Sequence, residues 1–230
     1  MKKFIPILAY HSLDPGRFPG KLAIDPGLFA WQMSFLKKMG FCAVGLEVCA
    51  RSQGRASLGN RQVAITLDDG YRDNYERAFP VLREGGLAAT FFVTPEDVGR
   101  EGFMTWDMLR EMANTRGMEI GSHTLSHKPL TDIPEGEAWR SIVASKKILE
   151  DNLGREVKAI SYPSGSFNEK ILDMARGAGY RYGCAASHLH DRKWEGNPYL
   201  LRRIKISSSS GSALTFFLRL SGFYAFFGKP

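Results

Sequence analysis

The chain has 230 residues, of which 43% are hydrophobic and 12% aromatic, and its formal net charge is +7. This composition allows a globular domain with a sizeable core, and no stretch approaches the length needed to span a membrane. The positive charge would suit an anionic glycan, a nucleic acid or an anionic membrane, but no nucleic-acid-binding motif accompanies it, so we expect no nucleic acid partner.

Two features of the sequence predict a cytoplasmic protein. Residues 1–8 have a basic start and a short apolar run, but they lack the long apolar region and the cleavage site of a signal peptide, and we expect them to enter the first strand. The cysteines Cys42, Cys49 and Cys184 lack metal-binding or redox spacing and are expected to be reduced thiols.

Strand-like and helix-like segments then alternate along the chain. We expect strands at residues 41–46, 63–65, 88–93, 118–121, 157–160, 180–186 and 201–206, and helices at residues 29–36, 73–84, 105–115, 135–153 and 168–178. Asp25 caps the first helix with Pro26 at its first position, and Pro80 must kink or restart the second. This alternation predicts a parallel sheet, and the length suits a single (β/α) barrel.

Two adjacent carboxylates, Asp68 and Asp69, follow the strand at residues 63–65 and precede Gly70. Side chains alternate along a strand, so the two carboxylates should diverge, and the turn at Gly70 can re-aim them. One carboxylate can then bind a metal while its neighbour handles protons. The alternative is a solvated Asp-Gly turn, which is common turn chemistry.

Two of the five histidines, His123 and His127, follow the strand at residues 118–121. If the segment forms one turn of helix, a spacing of four residues brings both imidazoles to one face. Because strand ends converge in an α/β barrel, Asp69 would join them as a third metal ligand. Imidazole plus carboxylate suits zinc and its neighbours in the first transition row. The alternative is a pair of loop histidines with ordinary hydrogen bonds.

The strand at residues 157–160 ends in a third motif, Tyr-Pro-Ser-Gly at residues 162–165. Proline removes a donor from this tight turn, and the N–H of Ser164 is free to point into a site as an oxyanion donor. The alternative is a plain Pro-Ser-Gly turn.

The three motifs in this order resemble those of the polysaccharide deacetylase family (carbohydrate esterase family 4), over roughly residues 63–182. The Tyr-His pair at residues 10 and 11 resembles a subgroup with an early Tyr-His motif. The resemblance implies a distorted (β/α) barrel of about seven parallel strands, with one catalytic domain over residues 1–230. The implied activity is metal-dependent removal of N-acetyl groups from an amino-sugar polymer or its lipid-linked precursor.

The resemblance also implies a role for each motif residue. Asp68 would be the general base, and Asp69, His123 and His127 would bind a divalent metal, with zinc expected and cobalt or nickel as alternatives. The backbone N–H of Ser164 would stabilise the oxyanion. This agrees with the chemistry of amide hydrolysis, since a bound metal lowers the pKa of its water to about 7 and a nearby carboxylate can accept the proton.

One departure from the family pattern concerns an arginine that often lies two residues before the motif proline. That position is Ser161 here. We expect Arg202 or Arg203 to orient the base instead, and only one of them can point inward from a strand.

A second departure concerns the general acid, because the late Leu-x-His motif has no counterpart in residues 201–206. His11 is our candidate, since it ends the first strand and would reach the same end of the barrel. The alternatives are that His11 only caps or packs there, or that His188 or His190 serves as the acid.

Several aromatic and polar residues are candidates for substrate contacts: Tyr71, Tyr162, Trp106, Trp194, Pro163 and Arg203. The aromatic segment at residues 214–227 is expected to form a final helix that covers the core. The alternative is an interfacial helix on the inner membrane face, which would make the protein peripheral there.

Two other functions are compatible with the same fold. One is a catalytically weak glycan-binding homologue, and the other is a metal-independent amidohydrolase of small cyclic amides. Retention of Asp69, His123 and His127 together argues against both, because an idle set of metal ligands has no obvious use.

Overall fold

The computed structural model describes residues 5–16, 22–52, 61–185, 196–208 and 211–220. Its strands are β1 (Ile7–Tyr10), β2 (Cys42–Ala43), β3 (Gln62–Leu67), β4 (Ala89–Val93), β5 (Met118–Ser122), β6 (Ala159–Ser161), β7 (Tyr182–Ala185), β8 (Leu201–Arg202) and β9 (Ile204–Lys205). Its helices are α1 (Pro26–Lys38), α2 (Leu46–Arg51), α3 (Phe79–Gly85), α4 (Trp106–Asn114), α5 (Glu135–Leu153), α6 (Glu169–Gly177) and α7 (Ala213–Leu220).

The strands form a nearly closed barrel in the order β8-β7-β6-β5-β4-β3-β1-β9, in which every neighbouring pair is parallel. The strands β8 and β9 are consecutive short segments on either side of Arg203. One pairs with β7 and the other with β1, so this part of the chain closes the barrel. Counted together they occupy one position, and the predicted barrel of about seven parallel strands is confirmed.

The inside of the barrel is filled by alternate residues of its strands. They form an apolar cluster of Ile7, Ala64, Phe92, Ala159, Tyr182, Cys184 and Leu201, to which α2 adds Leu46 and Cys49. Alternation continues along each strand toward its carboxyl end. At that end of the barrel the same face of β3 continues from Ala64 to Thr66 and Asp68, and the same face of β6 continues from Ala159 to Ser161, so it becomes polar there.

Most helices lie where the sequence predicts them, because their end signals are strong. The Asp25 side chain accepts hydrogen bonds from the backbone of Gly27 and Leu28, which caps α1. The long helix α5 ends at Gly154, which adopts φ 64°, a conformation that glycine tolerates without strain.

The strand predicted over residues 41–46 is wrong beyond Ala43, because β2 pairs with β3 through two residues only. The chain then turns into α2, which was not predicted. Leu46 and Cys49, three residues apart on this helix, are both buried in the barrel cluster. A short apolar segment of this kind does not reveal its own period.

Pro80 restarts the helix after the aspartate pair, as predicted. Residues Asn74–Ala78 form a π-helical turn in which the N–H of Phe79 bonds to the carbonyl of Asn74, five residues back. Proline has no N–H to donate, so Pro80 cannot continue an α-helical bonding pattern through this point. The turn connects the aspartate pair to α3 and leaves Asn74 fully buried.

The final described helix, α7, packs Phe216 and Leu220 on the core and leaves Leu214 and Phe217 exposed. A last helix that covers the core is therefore confirmed for Ala213–Leu220, while residues 221–227 of the predicted segment lie outside the described residues. Contact with a membrane surface stays a prediction. No helix within the described ranges combines the length and apolar character needed to cross a bilayer.

Candidate active site

Asp68 lies directly after β3, on the same inward face as Thr66. Its backbone N–H still donates to the carbonyl of Tyr10, at 3.0 Å, which continues the β1–β3 ladder past the ends of the two strands. The side chain of Asp68 is 2% exposed and is bound by Arg203 at both oxygens, with Nη1–Oδ1 2.6 Å and Nη2–Oδ2 2.7 Å. This bidentate pair fixes the plane of the carboxylate.

Arg203 is the one of the two late arginines that points inward. Its guanidinium also donates to the hydroxyls of Thr66, at 3.1 Å, and Ser161, at 2.7 Å. The small side chain of Ser161, at the position where the family resemblance implies an arginine, therefore leaves room for a guanidinium supplied by another strand. Arg203 was also a candidate substrate contact. The structure argues against that contact, because the head group of Arg203 is buried and already bound to protein groups.

The pKa of Asp68 reflects two opposed effects. Burial raises the pKa of this carboxyl, but the charge of Arg203 and its two hydrogen bonds outweigh burial, with help from His123 and His11. The pKa of Asp68 is consequently held below its usual value. The group is an oriented, ionised carboxylate at neutral pH.

Asp69, His123 and His127 converge on one point. Oδ1 of Asp69 lies 3.3 Å from Nε2 of His123 and 3.2 Å from Nε2 of His127, and the three ligand atoms all lie within 4.8 Å of one another. Oδ1 is buried and has no hydrogen-bond partner among the described residues. An orphaned buried carboxylate oxygen facing two imidazole nitrogens fits a divalent cation of the zinc type.

A second layer of contacts orients His123. The ring is 97% buried by side-chain area, and its Nδ1 lies 2.9 Å from the carbonyl of Ser161. A proton on Nδ1 donates to that carbonyl and leaves the Nε2 lone pair facing Oδ1 of Asp69, which is the tautomer a metal ligand needs.

Residues 123–127 do not form the helical turn in which a spacing of four residues would align two imidazoles. Thr124 and His127 adopt positive φ values of 65° and 57°, so the two imidazoles converge through an irregular turn. The backbone N–H of Thr124 donates to the Ser122 hydroxyl and that of Leu125 to the Ser141 hydroxyl, each at 3.1 Å. These side-chain acceptors replace the bonds of a helix.

Backbone strain is concentrated at this site. The described residues include four non-glycine residues with positive φ: Asp69, Thr124, His127 and Ser164. Each belongs to one of the three sequence motifs. Conformations of this kind cost roughly 1–3 kcal/mol each for such residues and persist where the surroundings impose them, which is typical of functional sites.

His11 reaches the same end of the barrel as the aspartate pair. Its Nε2 lies 3.8 Å from Oδ2 of Asp68, too far for a hydrogen bond, and its side chain is 14% exposed. Burial lowers the pKa of His11, while the charges of Asp68 and Asp69 act in the opposite direction. The ring therefore has access both to the candidate base and to the mouth of the site.

The turn at residues 162–165 presents Ser164 at the surface with φ 57°. Its internal hydrogen bonds are donated by Gly165 to Tyr162 and by Ser166 to Pro163, each at 3.0 Å. The turn therefore does not use the N–H of Ser164, and among the described residues no backbone carbonyl accepts from it.

The aromatic candidates for substrate contact differ in exposure. Tyr162 is 1% exposed and donates to the carbonyl of Tyr199, so its predicted stacking on a sugar is wrong, and Pro163 is buried with it. Trp106 packs against the core. Tyr71 is half-buried beside Phe103, and burial together with the charge of Asp69 raises the pKa of its phenol. Trp194, His188 and His190 lie outside the described residues.

Comparison with known families and proteins agrees with this geometry. The family model described as polysaccharide deacetylase matches residues 55–183. The Bacillus subtilis protein YxkH, assigned to the polysaccharide deacetylases, is 32% identical over 211 residues, which cover 91% of this chain and 74% of that protein. A Staphylococcus aureus poly-β-1,6-N-acetyl-D-glucosamine N-deacetylase is 27% identical over 201 residues, covering 82% of this chain and 69% of the relative.

Among solved structures, the Streptococcus pyogenes deacetylase PplD, in complex with acetate, superposes with a TM-score of 0.83. Its sequence is 26% identical, and the match covers 96% of this chain and 99% of that protein. The similarity thus extends over the whole barrel, beyond the segment that carries the three motifs.

Proposed function

The chain belongs to the polysaccharide deacetylase family, and we propose that it is a metal-dependent hydrolase that removes N-acetyl groups from an amino-sugar polymer. One observation carries the proposal. The orphaned Oδ1 of Asp69 faces two imidazole nitrogens, directly beside a second carboxylate, Asp68, that Arg203 keeps ionised. The Staphylococcus aureus relative is named for its action on poly-β-1,6-N-acetyl-D-glucosamine, which supports a polymer of β-1,6-linked N-acetylglucosamine as the substrate class.

Asp69, His123 and His127 would hold the metal in this proposal. A divalent ion bound there supplies Lewis-acid polarisation of the acetyl carbonyl and a water of lowered pKa. Asp68 accepts the proton of the attacking water, since its carboxylate is ionised and is not needed as a ligand. Arg203 holds that carboxylate in one plane, and the Ser164 N–H stabilises the negative charge that develops on the carbonyl oxygen.

His11 is the proposed general acid. The departing amine needs a proton, and the imidazole lies beside Asp68 at the same end of the barrel. Burial lowers the pKa of the His11 imidazole, which makes its protonated form a stronger proton donor, and the charges of Asp68 and Asp69 favour that form.

Replacing His11 with alanine should leave the metal in place and lower acetate release from an N-acetylated glycan by about 10²- to 10⁴-fold. The loss should be much smaller on an acetyl ester with a good leaving group, because such a leaving group departs without protonation. Steady-state rates on both substrates, with metal content measured in parallel, test this. An equal loss on both substrates would instead assign His11 a binding or structural role.

The experiment that tests the proposed function measures acetate release from a panel of acetylated glycans and, in parallel, ring opening of small cyclic amides. The panel should contain β-1,6- and β-1,4-linked N-acetylglucosamine oligomers, each assayed with added zinc or cobalt. We expect turnover of an N-acetylated oligomer and none of the cyclic amides. Binding of the oligomers without acetate release would favour the glycan-binding alternative, and turnover of a cyclic amide alone would favour the other one.

A further inference from the structure

A buried polar network ties the segment that carries His11 to the π-helical turn after the aspartate pair. Nδ2 of Asn74 donates to the His11 carbonyl at 2.8 Å and to Oδ1 of Asp73 at 2.6 Å. The Ser12 hydroxyl donates to the other oxygen of Asp73, also at 2.6 Å. Asp73, Asn74 and Ser12 are 5%, 0% and 2% exposed, so the three groups are almost entirely removed from solvent.

The network holds main chain that the sheet no longer supports. The strand β1 ends at Tyr10, and its last partner on β3 is Leu67. Beyond that point the His11 carbonyl is satisfied by Asn74, and the backbone of Leu13 bonds to Asp73. Because a buried backbone group without a partner is costly, these side chains fix the segment on both sides of His11, together with the N–H of Ile24, which donates to the Ser12 carbonyl at 3.0 Å.

The same network is incompletely satisfied, which argues against a purely stabilising purpose. Oδ1 of Asn74 is buried and has no hydrogen-bond partner among the described residues. An unsatisfied buried acceptor destabilises the fold relative to an apolar side chain of similar shape. What asparagine supplies here, and an apolar residue cannot, is a donor to the His11 carbonyl and to Asp73.

We propose that Asn74 and Asp73 are positioning residues that hold His11 beside Asp68 in the orientation needed to protonate the leaving amine. The inference rests on the proposed function of this site and on His11 as its acid. In this proposal the turn that follows the aspartate pair positions the general acid. The π-helical geometry places the Asn74 side chain against the end of β1, so that one amide group bridges two elements far apart in sequence.

Asn74→Ala is the first test of this proposal. The change removes the bond to the His11 carbonyl, and a small displacement of a reacting group can cost roughly 10- to 100-fold in rate. We expect a loss of this size on an N-acetylated glycan and a much smaller loss on an acetyl ester with a good leaving group. Added to His11→Ala, the change should cause no further shift in the ratio of the two rates, because both variants remove one function.

A matched control separates positioning from simple destabilisation. Asn168 is exposed and caps α6, where its Oδ1 accepts a hydrogen bond from the N–H of Ile171 at 3.0 Å; it makes none of the contacts described for the site. Asn168→Ala should lower stability without changing the ratio of amide to ester turnover. Ser12→Ala, which removes one donor to Asp73, is a milder second variant if Asn74→Ala folds poorly, and it should shift the ratio in the same direction.

A measurement that needs no turnover keeps this inference separate from the proposed function. In zinc-loaded protein with ¹⁵N-labelled histidine, the ring signals of His11 should shift or broaden in Asn74→Ala and remain unchanged in Asn168→Ala. If the wild-type protein releases no acetate from any glycan, the proposed function fails. The His11 signals would still test whether Asn74 holds the His11 ring in place. Unchanged His11 signals in Asn74→Ala, or equal losses on amide and ester, would overturn the proposal.

Discussion

Replacing His123 or His127 with alanine is expected to abolish metal binding and to lower acetate release to below about 1% of the wild-type rate. Loss of a group that only supports a ligand already costs 10- to 100-fold in metal affinity or activity, so loss of a ligand should cost more. Each imidazole faces the same oxygen of Asp69, within 3.3 Å. The two ligands that remain in either variant cannot replace the missing imidazole nitrogen.

His127 is the better first variant, because its side chain is 44% exposed whereas that of His123 is 3% exposed. Truncation at the surface leaves the core intact, so a loss of metal cannot be ascribed to unfolding. Elemental analysis of purified protein measures the occupancy, and His11→Ala serves as the control that keeps all three ligands. Full occupancy in a His123→Ala/His127→Ala double variant would place the metal elsewhere.

Asp68→Asn is the second change with a large expected effect, a loss of about 10²- to 10⁴-fold in turnover with the metal retained. The amide keeps the shape of the carboxylate but cannot accept the proton of the attacking water. The substitution also leaves the buried guanidinium of Arg203 without its counter-charge, and breaking a buried pair in this way typically costs about 3–5 kcal/mol in stability. Rates must therefore be measured at a temperature where circular dichroism shows the variant to be folded.

Metal content separates the two aspartates. Asp69→Asn should lose the metal, whereas Asp68→Asn should retain it, although the residues are adjacent in sequence. Loss of metal from Asp68→Asn would mean that both carboxylates share the ion. Retention of metal with undiminished turnover would remove Asp68 as the base.

The sequence predicts the barrel and the meeting of the motifs well, because both depend on local signals. Apolar runs mark the strands, and polar residues at their carboxyl ends are brought together by parallel topology. Alternation along a strand also allows only one of Arg202 and Arg203 to face inward, and Arg203 is the one on the face that carries Leu201.

The local conformation of the site could not be predicted, because contacts distant in sequence impose it. The turn between His123 and His127 is held by Ser141 on α5 and by the backbone of Glu96 after β4, and these contacts override the helical spacing of the two histidines. Four motif residues adopt positive φ although none is glycine, so composition gives no sign of the strain.

Burial of Tyr162 has a similar origin. An aromatic residue beside a motif resembles a sugar-stacking platform, but its hydroxyl bonds to the carbonyl of Tyr199, in a segment that follows β7. The sequence does predict that one of the two late arginines replaces the arginine missing at residue 161. It does not predict the hydrogen bond between Arg203 and the Ser161 hydroxyl, since the two residues meet only when the barrel closes.

The most direct test of the account is acetate release from a β-1,6-linked N-acetylglucosamine oligomer by protein stripped of metal and then reconstituted with zinc. We predict that the stripped protein is inactive and that activity returns in proportion to zinc, up to one ion per chain. The His127→Ala variant, treated identically, should stay inactive. Acetate release that persists at the full rate in protein shown to be free of metal would contradict the central claim.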